Sequence, residues 1–153
     1  MLFARAALGC QGAADSEAGV AAAPTSAAPA SPLATLDPKR ALEESWTLDG
    51  ATSATSFLFF AREGLRLSAS CTRADGSLDC AALKYVRSGM PTEIAKRELD
   101  GRGGAGAKVC LKMKQVLVPA KNSVGSEETF CKFDDGSLIA ASALEQYSLR
   151  VIQ

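Results

Sequence analysis

The residues best suited to chemistry in this chain are its thiols and the carboxylates that follow two of them. Cys71 opens the run Cys71-Thr-Arg-Ala-Asp75-Gly76-Ser77-Leu78, and Cys131 opens Cys131-Lys-Phe-Asp134-Asp135-Gly136-Ser137-Leu138, 60 positions later. Cys80 and Cys110 complete a set of four, and Cys10 lies apart near the start. Four thiols can pair as disulfides, stay buried and free, or hold zinc. Zinc is the poorest fit: the gaps are eight, 29 and 20 residues, and no Cys-x2-Cys knuckle is present. Redox catalysis fares no better, since no Cys-x-x-Cys exists to lower a thiol pKa. An even number of cysteines suits disulfides formed in an oxidising compartment. Three pairings are open, and the sequence does not choose among them.

The carboxylates read as turn and cap residues. Asp134 and Asp135 lack the alternating acidic spacing and distal Glu of a calcium loop. In Asp75-Gly76-Ser77 and Asp135-Gly136-Ser137, Asp suits a turn, Gly accepts positive φ, and Ser can cap a following helix. The chain has no histidine. This excludes Ser-His-Asp, Cys-His and His-Glu zinc chemistry and leaves an enzyme only carboxylates, Lys, Tyr or Cys. Gly101-Arg-Gly-Gly-Ala-Gly106 lacks the Gly-Lys-Ser/Thr of a phosphate loop and reads as a link. The expectation is a protein that is not an enzyme and needs no cofactor or metal. Its 17 basic and 17 acidic residues balance. No basic patch argues for nucleic acid, and Lys108, Lys112, Lys114 and Lys121 read as a solvated face.

These residues need elements to position them. Asp37 and Pro38 open a short helix to Trp46, with Leu42 and Trp46 one turn apart. Ser56-Phe57-Leu58-Phe59-Phe60 and the alternating Leu65–Cys71 form a hairpin. Ser77 begins a helix carrying Leu78, Ala81, Ala82 and Tyr85, and another runs from Met90 to Leu99. In the second half, residues 107–113 read as a short helix with a strand as alternative. Strands follow at 115–119 and 127–133, and Ser137 caps a last helix. The fold class is α+β: two α-β-β-α halves, about 36–100 and 105–153, form one small antiparallel sheet with helices on one face. The Cys71 and Cys131 strands would pair at its centre. Residues 1–35 read as a tail with an Ala/Pro/Ser linker, too poor in large apolar groups to fold. Outward-facing Phe57 and Phe59, and the loop from Asn122 to Glu128 with Asn122 and Glu127, are the candidate partner surface.

The pattern of Cys110, 20 intervening residues with a hairpin, then Cys131, Asp135, Gly136 and Ser137 resembles a small bacterial lipoprotein domain of unknown function that carries the label hemolysin. The first half is similar only from Cys71, through Asp75, Gly76, Ser77 and Cys80, so the domain reads as duplicated. The family's Gly-Gly after its helix is Lys114-Gln115 here. The resemblance implies an envelope lipoprotein, periplasmic or at the surface. Ala7-Leu8-Gly9-Cys10 agrees, since it is similar to a lipobox with Cys10 as the lipidated residue, although the apolar run before it is short. An ordinary tail on a cytoplasmic protein is the alternative. Membrane contact is then expected only through that lipid. The expected function is a non-enzymatic binding module for a protein or cell-wall partner. The alternative is a disulfide-stapled inhibitor of a secreted protease or lysozyme. The oligomeric state is left open.

Overall fold

The computed structural model describes residues 31–153. The lipidation candidate Cys10 and most of the tail lie outside the described residues. Two short 3-10 turns lead in, at Pro32–Thr35 and Pro38–Arg40. Strands β1 (Leu42–Leu48), β2 (Ala54–Phe60) and β3 (Leu65–Ser68) follow. Next come α1 (Ala81–Arg87), β4 (Thr92–Ala95), α2 (Lys96–Leu99) and α3 (Ala105–Lys112). The chain ends with β5 (Val116–Asn122), β6 (Glu127–Lys132), β7 (Leu138–Ala140), α4 (Ala141–Ser148) and β8 (Leu149–Ile152).

The expected small open sheet is not what forms. Six strands close into an antiparallel barrel in the order β1-β2-β3-β7-β6-β5, and β4 pairs with β8 in a separate parallel ribbon. The expected central pairing of the two Cys strands is absent. β3 instead meets β7, with Leu67 opposite Ile139. The reason lies in strands that are apolar on both faces. Leu58, Phe60, Leu65, Leu67, Cys131 and Ile139 point outward, where they pack with Ala82, Leu83, Val86, Val109, Ala143 and Leu144 of α1, α3 and α4. Trp46, Phe57, Ala120, Phe130, Leu138 and Ala140 share the other face by register and form a cluster to which no helix contributes. A sheet with two greasy faces and helices over one must cover the second by curling onto itself. In that lumen Phe57 stacks on Phe130 at 4.2 Å, and Trp46 meets Phe130 edge-on at 5.7 Å.

β1 corrects the expected helix over 38–46. Asp37 does cap Pro38, accepting from the Lys39 amide at 3.0 Å, but the turn stops at Arg40. Leu42, Glu44, Trp46 and Leu48 also alternate with period two. Six residue pairs with β2 and three with β5 select that period. The stretch from Met90 to Leu99 is likewise mostly strand and one helical turn.

The Gly101–Gly106 link is shorter than expected, because Gly106 belongs to α3. It lies where α3 crosses α4, and a Cβ there would sit 1.7 Å from the Ala141 carbonyl oxygen. Only glycine permits this approach.

Candidate interaction surface

β1 and β5 run antiparallel with Trp46 opposite Asn122, so the first residues of β1 reach past the end of β5 toward the β5–β6 turn. This end of the barrel is its mouth. Arg66 closes the lumen there. It alternates on β3 with buried Leu65 and Leu67, which turns it to the lumen side with Phe59. Its Nε donates to Glu44 Oε2 at 2.7 Å and Nη2 to Glu44 Oε1 at 3.3 Å. Nη1 lies 3.9 Å from Glu128 Oε2 on the opposite wall. The guanidinium sits 4.0 Å over the Phe59 ring and 5.7 Å from that of Trp46, and Trp46 Nε1 donates to Glu44 Oε2 at 2.9 Å. Partial burial pushes the Glu44 carboxyl up. Hydrogen bonds from Arg66 and Trp46, with the Arg66 charge, outweigh this and hold it below its usual value. The cluster is a plug: one cation neutralises carboxylates from two walls and roofs the aromatic core.

The β5–β6 turn rises at the same end. Asn122 Oδ1 accepts from the Val124 amide at 3.2 Å and the Ser126 amide at 2.8 Å. The Asn122 amide donates to Ser126 O, the Gly125 amide to Asn122 O, and Gly125 takes φ +84°. Lys121 and Glu127 pair across the base at 2.8 Å. That bond raises the Lys121 pKa and lowers that of Glu127. The result is a set loop whose tip, Val124, is 82% exposed. Beside it runs a cleft of about 600 Å³ lined by Thr47, Asp49, Pro119, Lys121 and Glu128 among others.

Of the sequence candidates, Asn122 and Glu127 therefore sit together in a structured tip. Phe57 does not join them: it is fully buried in the lumen. Phe59 is half-buried under Arg66. The expected outward patch is absent because the side chosen as outer is the inside of a barrel. Arg66 and Glu44 were missed by sequence reasoning, and Val124 lay within the candidate loop without being singled out. An Arg in register with Phe59 on an apolar hairpin, and one Val among Asn, Ser and Gly, were the available signals.

The cysteines pair as Cys71–Cys80 and Cys110–Cys131, one bridge inside each half. All four are buried. Cys110 on α3 thus ties the helix to β6 across the β5–β6 hairpin.

Both Asp-Gly-Ser turns form. Ser77 and Ser137 each donate through N and Oγ to the Asp two residues before, and Gly76 and Gly136 both take φ +81°. Neither Ser caps the helix that follows it in sequence, as was expected. Ser137 Oγ instead accepts from the Ala82 amide at 3.1 Å, and Asp135 Oδ2 from the Ala81 amide at 2.7 Å. The second half thereby caps α1 of the first. Burial pushes the Asp135 carboxyl up. The Ser137 hydroxyl and the amides of Ala81 and Ser137 more than offset it, and the net shift is downward. Asp75 and Ser77 stay exposed, and the Ser77 hydrogen bonds lower the Asp75 pKa.

These features define a small disulfide-stapled β-barrel, helix-covered on one side, with an ionic plug and a projecting turn at its mouth. No family model, curated protein or solved structure matches the chain.

Proposed function

We propose that this protein is a non-enzymatic, exported binding module that meets a protein or cell-wall partner at the barrel mouth. The observation that carries this reading is the β5–β6 tip. Its backbone is fixed before any encounter by Asn122 and the Lys121–Glu127 pair, and it offers one apolar side chain, Val124, to solvent. A loop already ordered loses little conformational entropy on docking. Two buried disulfides support an oxidising compartment, and a lipid on Cys10 would provide envelope attachment.

The same pre-organisation favours a second reading, inhibition of a secreted hydrolase by insertion of this tip into its active-site cleft. Binding to isolated cell wall and inhibition of a panel of secreted proteases and lysozymes separate the two. Val124→Asp should weaken whichever activity is found by at least about tenfold, roughly 1.4 kcal/mol. Met90→Asp, at another exposed apolar position, should leave it unchanged. No binding and no inhibition by micromolar wild-type protein would overturn both readings.

A further inference from the structure

The chain carries four Asp-Gly dipeptides, at Asp49, Asp75, Asp100 and Asp135. This sequence can rearrange without an enzyme. The Gly amide nitrogen attacks the Asp Cγ, an N–Cγ bond forms, and the carboxyl hydroxyl leaves with the amide proton as water. The product is a cyclic imide. Water then adds at either imide carbonyl and opens the ring. Opening at the former side-chain carbonyl restores Asp. Opening at the former main-chain carbonyl leaves the backbone running through Cβ and Cγ, which is isoaspartate. Glycine permits the attack because no Cβ blocks its nitrogen. A carboxylate held elsewhere, or an amide already donating, opposes it.

Two of the four pairs are held at the reacting groups, and a third only by the turn that encloses it. Asp75 and Asp135 have Oδ1 tied to Ser77 and Ser137, while the Gly76 and Gly136 amides donate to Arg73 O and Phe133 O, each at 2.9 Å. Asp135 also holds the Ala81 amide. Asp49 donates its own amide to Pro119 O at 2.8 Å, and an Ala51-to-Leu48 bond of 2.9 Å closes the turn around Asp49-Gly50. Asp100 differs. As at Asp49-Gly50, nothing among the described residues donates to its carboxylate and the Gly101 amide has no acceptor, but here no backbone hydrogen bond closes a turn around the pair. Both residues are exposed, as are the next three. Gly101 and Gly103 take φ of 139° and 96°, in a joint with little to fix it.

We infer that Asp100-Gly101 is a spontaneous modification site, where isoaspartate forms in the joint between the two halves. The change adds a methylene to the main chain just ahead of α3, whose Gly106 has no space to spare against Ala141. The site is independent of any partner.

The test uses the intact, disulfide-bonded full chain, aged at neutral pH and body temperature. It is then digested, and isoaspartate is located by electron-transfer fragmentation and by methyl transfer from an isoaspartyl methyltransferase. Isoaspartate should accumulate at residue 100 several-fold faster than at 49, 75 or 135, with a transient species one water lighter on the same peptide. Gly101→Ala should slow it several-fold. Equal rates at all four sites, a lead by Asp49, Asp75 or Asp135, or no conversion at Asp100 would each overturn the inference.

Discussion

The two Asp-Gly-Ser-Leu blocks fold into the same turn and are used differently. The first, at residues 75–78, is exposed through Ser77. Around it, Asp79 forms surface ion pairs with Arg73 and Lys84. The second, at residues 135–138, buries Ser137 to 3% exposure and hands its oxygens to α1, which has no side-chain cap of its own. The difference arises one step downstream. After the second block Leu138–Ala140 continues as β7 and fills the barrel between β3 and β6. After the first, only the single bridge Thr72–Leu78 forms. The same local sequence thus closes a surface turn in one half and joins the halves in the other. A motif fixes its own hydrogen bonds, while its neighbours decide what else those oxygens reach.

The contrast can be broken at its strongest point, the helix crossing that only the second half provides. Gly106→Ala places a Cβ against the Ala141 carbonyl and should cost about 3 kcal/mol or more in urea unfolding. Gly76→Ala meets no atom within 4 Å but must hold φ +81°, and should cost about 1 kcal/mol. The disulfides come next. Replacing Cys110 and Cys131 together by Ala opens a loop spanning 21 residues and should lose about 3 kcal/mol. The Cys71–Cys80 pair spans nine residues and should lose slightly less, about 2.5 kcal/mol.

The two serines sharpen the comparison directly. Ser137→Ala removes a buried cap and should cost about 1–2 kcal/mol, whereas Ser77→Ala should be near neutral. The acid limb carries a matching signature. Asp135 has a folded pKa below its unfolded value, so its stabilisation is present above the unfolded pKa and disappears as pH falls through the folded one. Ser137→Ala should flatten that acid loss, read as urea midpoint against pH, and Ser77→Ala, which relaxes only the exposed Asp75, should flatten it less. The smallest effect is a gain. Lys114 takes φ +61° just past α3, and Lys114→Gly should raise stability by about 0.5–1 kcal/mol.

Much of this was readable from the residues. The hairpins β2–β3 and β5–β6, the helices α1, α3 and α4, and both turns follow from period and turn chemistry. β1 did not, because Leu42 and Trp46 satisfy helical spacing while Leu42, Glu44, Trp46 and Leu48 satisfy strand spacing. Only partners across the sheet choose between them. β7 is three residues long, too short to show alternation. Closure itself was hidden in Phe57–Phe60. Four apolar residues in a row mean two buried faces, but not whether the second is covered by a layer or by the sheet itself. At the mouth, the Asn122–Glu127 turn was legible from its Asn, Ser and Gly. The Arg66 plug was not, because Glu44 and Glu128 are 22 and 62 positions away and meet it only when the barrel closes.

The account of an exported, stapled binding module is tested most directly by mass spectrometry of the natively expressed protein, alkylated before reduction and mapped by peptide. It predicts no alkylation at Cys71, Cys80, Cys110 or Cys131, linkages 71–80 and 110–131, and a lipid on Cys10. Four alkylated thiols and an unmodified Cys10 would contradict it and place the chain in a reducing compartment.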